Sequence, residues 1–537
     1  MRLLFALLTC LTCFSSIAWS AEPARPRVLA LVRADLHTAL HDQLATWEAD
    51  LSASGYQPLV ETWPVDQLET RNDNAHVIAI WEHLRDLHGQ SASLEGVLFI
   101  GRFPSPVYSL ESGGTTNHYS WLDDAFWYLD IFTPKPEGPG LEPDIWASRI
   151  DALDQKEHAV HADRVTMLRR YFDHLHAWRC GASRYPDIGY WALSGDFKDR
   201  TVYDAFYGED SRLDTLWGHH IEELYAESDY VGKNMSNIYD TGGEYFIAAA
   251  HGFKSGNSTE VGGLGSFYSR PNQIRIYAIG SCNVNEIGGM CARSLFSRHG
   301  GALFACAEDL SASSLFRVGW NNGKSLGRVF VETFGYPVQS YGDLTVTKTP
   351  SCFTGNSLPT IDSFSAASDE VACGGSVTFS ASASDADGIA THELFPYGYN
   401  DGAGEAVLMS DPASHQHHYP VPHRYQPMLV VSDAYQACRW QTTAEIRVAP
   451  QPGRPLRINC GYHQGSRKAD GEYTSDDADY FDAAGHRWLY DQGYASGTWG
   501  RNGGSTRFEN DGIAGTTEDL LYQSFIRIDK VDQPCRY

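Results

Sequence analysis

Short apolar runs alternate with helical periods along the first three fifths of the chain. Val28-Leu-Ala-Leu-Val32 is followed by Leu36, Leu40, Leu44, Trp47 and Leu51, which recur at helical spacing until Gly55. The first stretch predicts a strand and the second one face of a helix. Residues 58–62 return as a strand, and Val77, Trp81, Leu84 and Leu87 mark a second helix ended by Gly89. Further strands are predicted at 97–100, 144–150 and 188–193, with a helix over about 156–178. Tyr245-Phe-Ile-Ala-Ala-Ala250, Ile274-Arg-Ile-Tyr-Ala-Ile279 and residues 302–307 continue the series. Continuous apolar runs of this kind are strands buried on both faces of a parallel sheet. Their alternation with helices predicts an α/β domain with a mainly parallel sheet and helices on both faces.

The texture changes near Pro350. Over residues 358–450 the helical period disappears and short alternating strands take over, clearest at Val377-Thr-Phe-Ser-Ala-Ser382, Met428-Leu-Val-Val431 and Ala444-Glu-Ile-Arg-Val448. A β-sandwich is predicted, with Cys373 and Cys438 as candidates to bridge it. Pro450, Pro452 and Pro455 form a stiff connection to residues 455–537, which are rich in Gly, Asp and Tyr and read as all-β.

Met1-Arg2, the apolar stretch to Ala18 and the small-residue site Ala18-Trp19-Ser20 predict a signal peptide over residues 1–20. Export, to the medium or the cell surface, is therefore expected. No later stretch has membrane-spanning length. The formal net charge is −26, from 41 basic and 67 acidic side chains, so the chain repels phosphate backbones and nucleic-acid binding is excluded. Of the 11 cysteines, Cys10 and Cys13 belong to the leader. An odd number remains, which leaves at least one thiol unpaired.

Cys282 is the candidate for that thiol. His251-Gly252 ends one apolar run and Gly280-Ser281-Cys282 ends another, 282 − 251 = 31 residues later. Ligand crevices of open α/β sheets lie beyond the carboxyl ends of the strands. Neighbouring strands would bring an imidazole and a thiol to one crevice, the pairing a cysteine nucleophile requires. The plainer alternatives are a structural histidine and a buried free cysteine. Three other motifs read as structure. Gly323-Lys-Ser-Leu-Gly327 has the spacing of a nucleophile elbow but follows polar Trp320-Asn-Asn322, and is a helix start. Asp385-Ala-Asp-Gly388 is a turn. His415, His417, His418 and His423 read as an exposed strand edge, without four convincing zinc ligands.

The two apolar blocks ending in His-Gly and in a small residue plus Cys resemble the signature of the caspase–hemoglobinase clan of cysteine peptidases. Within that clan residues 21–355 resemble gingipain-type peptidases. Gly96-Val-Leu-Phe-Ile-Gly-Arg-Phe-Pro104, Trp121-Leu-Asp-Asp-Ala-Phe-Trp-Tyr128, Pro143-Asp-Ile-Trp-Ala-Ser-Arg-Ile150 and Tyr341-Gly-Asp343 carry the outer likeness. The resemblance implies a Cys282 nucleophile, a His251 acid–base, and an oxyanion hole from the backbone N–H groups of Gly252 and Cys282. It implies an acidic pocket residue, for which Asp154 and Glu157 are candidates, and a role for Asp123 and Asp124 in orienting His251 or holding calcium. Solvated helix-start carboxylates and surface turn acids are the plainer readings of those four. No cofactor is required, with calcium the one ion considered, and the substrates are proteins or peptides.

Ser382-Ala-Ser-Asp-Ala-Asp-Gly388 and Leu429-Val-Val-Ser-Asp-Ala434 resemble PKD-type Ig-like domains. Leu456-Arg-Ile-Asn-Cys-Gly461, Trp488-Leu-Tyr-Asp491 and Ile513-Ala-Gly-Thr-Thr-Glu-Asp-Leu-Leu-Tyr-Gln523 resemble the first half of a malectin-type carbohydrate-binding domain. That likeness implies a partial domain and a carbohydrate partner. Two other functions stay open: a surface glycan-binding adhesin with an inactive peptidase-like domain, and acyl transfer to an acceptor amine.

Overall fold

The computed structural model describes residues 25–64, 74–89, 94–104, 107–108, 121–122, 144–151, 164–186, 188–193, 220–225, 242–249, 252–253, 256–257, 271–280, 294–308, 324–333, 339–347, 356–398, 406–420, 424–449, 480–481, 487–488, 504–508 and 524–528. The predicted leader lies outside them. Ten strands form one sheet: β1 (Arg27–Arg33), β2 (Gln57–Trp63), β3 (Leu94–Ile100), β4 (Trp146–Ile150), β5 (Ile188–Leu193), β6 (His220–Tyr225), β7 (Gly243–Ala249), β8 (Ile274–Gly280), β9 (Phe304–Glu308) and β10 (Gln339–Gly342). The order across the sheet is β2-β1-β3-β4-β10-β9-β8-β7-β5-β6.

The sheet is two parallel blocks joined at a seam. β1 to β4 pair parallel with one another, as do β5 to β9. β10 runs antiparallel to β9 and parallel to β4. The blocks therefore run in opposite senses, and their carboxyl ends face opposite edges of the sheet. Within each block the predicted parallel α/β architecture holds. Reversal at the seam has no counterpart in the sequence pattern, because residues 339–342 are too short and polar to announce a strand.

Every residue of β1 is buried, so both faces of the sheet are covered there, whereas the edge strand β2 is only half-buried. Helix α3 (Asn74–His88) lays Val77, Ile80, Leu84 and Leu87 on Leu29, Leu31, Val97 and Phe99. Helix α5 (Leu326–Thr333) lies against the Trp146 ring. A Cβ on Gly96 or Gly327 would fall 2.0–2.2 Å from that indole, so only glycine admits the ring on either side. Ser325 Oγ accepts from Arg328 N at 3.2 Å, which caps α5 and identifies Gly323-Lys-Ser-Leu-Gly327 as a helix start.

Helices α1 (Ala34–His37), α2 (His41–Ala53) and α4 (Arg164–Arg179) complete the described helical layer. Trp47 on α2 and Arg179 on α4 both reach the seam. Trp47 Nε1 and Arg179 Nη2 donate to Asp343 Oδ2 at 2.8 and 2.9 Å. Thr345 donates to Oδ1 through its N–H at 2.8 Å and its hydroxyl at 2.6 Å. Tyr171 on α4 accepts from Asp343 N at 2.7 Å and donates to Leu303 O at 2.8 Å. Asp343 is wholly buried, and this network binds two helices to the join between the blocks.

Residues 360–449 form the predicted sandwich. Its strands are β11 (Thr360–Ala366), β12 (Glu370–Ala372), β13 (Gly375–Ser384), β14 (Ile389–Phe395), β15 (Val407–Leu408), β16 (His415–Tyr419), β17 (Arg424–Tyr425), β18 (Met428–Asp433), β19 (Cys438–Thr442) and β20 (Ile446–Ala449). They make sheets ordered β11-β13-β16, β12-β20-β17 and β15-β14-β18-β19. Phe364, Val377, Phe379, Leu394, Tyr419, Leu429, Val431 and Ile446 fill the space between them. Asp385 N-terminal to Gly388 makes a turn, its Oδ1 accepting from Asp387 N at 2.8 Å.

The expected Cys373–Cys438 bridge does not form; the two sulfurs are not bonded to each other. Cys373 Sγ donates to Pro420 O at 3.0 Å on the side of the inner core. Cys438 is buried in a second cluster with Phe395, Met428 and Val430. The sulfurs serve different layers, and burial pushes the Cys438 thiol up. In the tail the described residues are two antiparallel pairs, 480–481 with 487–488 and 504–508 with 524–528. Among the described residues no helix is long and apolar enough to cross a membrane.

Candidate active site

β7 and β8 are adjacent and parallel. Their register runs from Ile274↔Gly243 through Tyr277↔Phe246 to Gly280↔Ala249. His251 follows Ala249 by two residues, and Cys282 follows Gly280 by two. Both lie outside the described residues, as do Asp123, Asp124, Asp154 and Glu157. Gly252 is described as backbone: it begins the pair Gly252–Phe253, antiparallel to Gly256–Asn257. β4, the strand preceding Asp154 and Glu157, belongs to the block that runs opposite to β7 and β8. Among the described residues no group of three or more His, Cys, Asp or Glu side chains is placed to hold a metal ion.

The amino ends of β7 and β8 are held by buried polar groups that the sequence reading missed. Arg275 Nη1 lies 3.6 Å from Glu244 Oε1, both side chains almost fully buried. Arg275 also donates to Ser183 O at 2.7 Å and stacks its guanidinium 4.5 Å from the Tyr185 ring. Asn272 Oδ1 accepts from Tyr277 OH at 2.6 Å and Ile274 N at 3.2 Å, while its Nδ2 donates to Ser294 O at 3.1 Å. Phe246 and Tyr277, paired on the same rung, meet edge-on at 5.7 Å. The available signal was a charge inside an apolar run, Arg275 in Ile274-Arg-Ile276. Such a residue must find a buried partner.

The sandwich docks on this same end. Gln273, just before β8, accepts from Cys438 N at 2.8 Å through Oε1 and donates to Cys438 O through Nε2. Its amide thereby reproduces a backbone pairing across the two domains. Arg184 N donates to Tyr435 O at 3.0 Å, and its guanidinium lies 4.0 Å from the Tyr435 ring. Asn356 Nδ2 donates to Asp433 Oδ2 at 2.7 Å and Arg184 O at 3.1 Å. Glu393 bonds His299 Nε2 and accepts from Arg298 at 3.3 Å. Burial opposes the Glu393 charge, yet His299 and Arg298 outweigh it and hold the carboxyl well below its usual range. Burial drives His299 the other way, down from its ordinary value. His174 beside them is brought to about 3 by burial, then by the charges of Arg170 and His299. This docking explains why β18 is buried on both faces: Met428 and Val430 face the α/β domain, Leu429 and Val431 the sandwich core.

Among solved structures the chain is similar to the Arg-specific cysteine proteinase gingipain R (RgpB), at 11% identity and a TM-score of 0.43, over 79% of this chain and 98% of that one. A complex of Porphyromonas gingivalis RgpB pro- and mature domains matches at 11% identity and a TM-score of 0.41, over 79% of this chain and 100% of that one. The PKD1 domain of Vibrio anguillarum Epp matches at 18% identity and a TM-score of 0.14, over 18% of this chain and 99% of that one. No family model and no curated protein matches.

Proposed function

We propose that the chain is an exported cysteine endopeptidase working through Cys282 and His251. The observation that carries this reading is the β7–β8 pairing, parallel and in register up to Gly280↔Ala249. His251 follows the end of β7 and Cys282 the end of β8 by two residues each, and ligand crevices of open α/β sheets lie beyond such carboxyl ends. The Cys282 thiolate attacks the scissile carbonyl to give a thioester, and the bond to the leaving amine breaks as His251 protonates it. His251 then takes a proton from water, which attacks the thioester and frees the thiolate. The N–H groups of Gly252 and Cys282 hold the oxyanion, each worth about 3–4 kcal/mol of transition-state stabilisation. Asp154 and Glu157 stand as pocket candidates, and Asp123 and Asp124 as candidates to orient His251 or hold calcium. The partial tail carries the proposed carbohydrate contact.

Cys282→Ala tests the reading, measured as cleavage of denatured protein with thermal unfolding as the check on folding. Hydrolysis is expected to fall on the order of 10⁴-fold or more, with the unfolding midpoint unchanged. Retained cleavage ends the peptidase reading. A wild type that alkylation leaves unaffected, yet is retained on a glycan array, favours the adhesin instead.

A further inference from the structure

β16 is an edge strand of the sandwich, and its alternation turns His415, His417 and Tyr419 to one face. On the neighbouring β13 the residues opposite are Phe379, Val377 and Gly375. That face is the interior, since Val377, Phe379 and Tyr419 are buried. Gln416 and His418 point the other way and are exposed. Two imidazoles therefore enter an apolar layer from consecutive inward positions of one strand. The Nε2 atoms of both are buried and, among the described residues, have no hydrogen-bond partner.

A buried polar atom left unpaired costs about 1–3 kcal/mol, and two so close together ask for a common partner. Inward side chains two apart on a strand start about 6.7 Å from each other. Imidazole rings can close that gap onto one ion between their ring nitrogens. The unprotonated ring nitrogen of an imidazole is the donor that binds metal. Tyr397 stands edge-on beside His417, its ring centroid 5.3 Å from that of His417 and 5.9 Å from that of Tyr419. Tyr419 and Tyr425 stack at 5.2 Å behind it. An aromatic collar of this kind supplies the apolar shell that controls solvent access to a metal site.

We propose that His415 and His417 form a two-histidine site for one borderline divalent cation, Zn²⁺, Ni²⁺ or Cu²⁺, which fastens the edge strand β16 to the sandwich interior. Two imidazole donors select these ions over Ca²⁺ and Mg²⁺, which take oxygen ligands. Water fills the other coordination positions. The site belongs to the sandwich, and its metal is structural.

The test uses the full chain, freed of metal with a chelator, titrated calorimetrically with Ni²⁺ and with Zn²⁺. His415→Phe and His417→Phe keep an aromatic ring in the apolar layer, and His418→Gln is the control on the outward face. Wild type and His418→Gln are expected to bind one equivalent that raises the thermal unfolding midpoint. Each phenylalanine variant is expected to lose at least about tenfold in affinity together with the midpoint shift. Absence of saturable binding by wild type overturns the proposal, as does binding that survives in His417→Phe or disappears in His418→Gln. X-ray absorption of nickel-loaded wild type serves if a variant fails to fold. Two imidazole ligands support the site; a shell of thiolates or of oxygen alone overturns it.

Discussion

The seam of the sheet and the inner face of the sandwich both place polar groups in apolar surroundings, and they treat them differently. At the seam, Asp343 has both carboxylate oxygens engaged, by Trp47, Arg179 and Thr345. In the sandwich, His415 and His417 each present a buried nitrogen with no partner among the described residues. A satisfied network is structure, specific in geometry and costly to break. Orphaned nitrogens add little to the fold and are the better pointers to a ligand.

Substitutions that sever one network and not the other sharpen this contrast. Asp343→Ala should have the largest effect, because it strands the buried Arg179 guanidinium. Removing one partner of such a pair costs about 3–5 kcal/mol, readable as a lower denaturant midpoint by circular dichroism. A loss under about 1 kcal/mol would mean that the seam does not depend on the carboxylate.

The domain junction should give an intermediate, pH-dependent effect. His174 and His299 are held below the ordinary histidine value, facing Arg170, Arg298 and Glu393. The unfolded chain binds their protons more readily than the folded one. Stability is therefore complete above about pH 6.5 and falls as the pH drops toward the folded value of about 3 for His174. Glu393 adds to the loss at the acid end, since its lowered carboxyl is protonated last. Small-angle scattering on lowering the pH should show the sandwich separating before the α/β domain unfolds. A particle of constant size down to global unfolding would refute a junction governed by these groups.

His417→Phe should have the smallest effect. Replacing an unpaired polar group with an apolar one of similar shape is nearly neutral or stabilising. The metal-free unfolding midpoint is expected to correspond to within about 1 kcal/mol of wild type. A large loss would show that the ring has structural bonds, and the contrast with Asp343 would fail.

Most strands were legible from sequence, because residues buried on both faces leave uninterrupted apolar runs. The predicted stretch 188–193 is β5 as observed, and 97–100 lies within β3. β6 and β10 escaped notice: His220-Ile-Glu-Glu-Leu-Tyr225 is an edge strand with polar positions, and Gln339-Ser-Tyr-Gly342 is short. Cys373 and Cys438 looked like a bridge because sequence gives the number of thiols and not the layer each one enters. The histidine cluster read as a strand edge, and β16 is one. Alternation alone was insufficient to show which of its rings turn inward, since that depends on the register with Val377 and Phe379.

The order of strands and helices, the change of texture near Pro350 and the pairing of His-Gly with Ser-Cys after apolar runs are local properties. Side-chain period and composition set them, so the chain carries them before it folds. Adjacency of β7 and β8, reversal of the sheet at β10, docking of the sandwich through Gln273 and the convergence of Trp47, Arg179 and Thr345 on Asp343 join residues far apart in sequence. Tertiary structure decided those, because a buried charge or amide selects its partner only among groups that packing has already brought within hydrogen-bond reach.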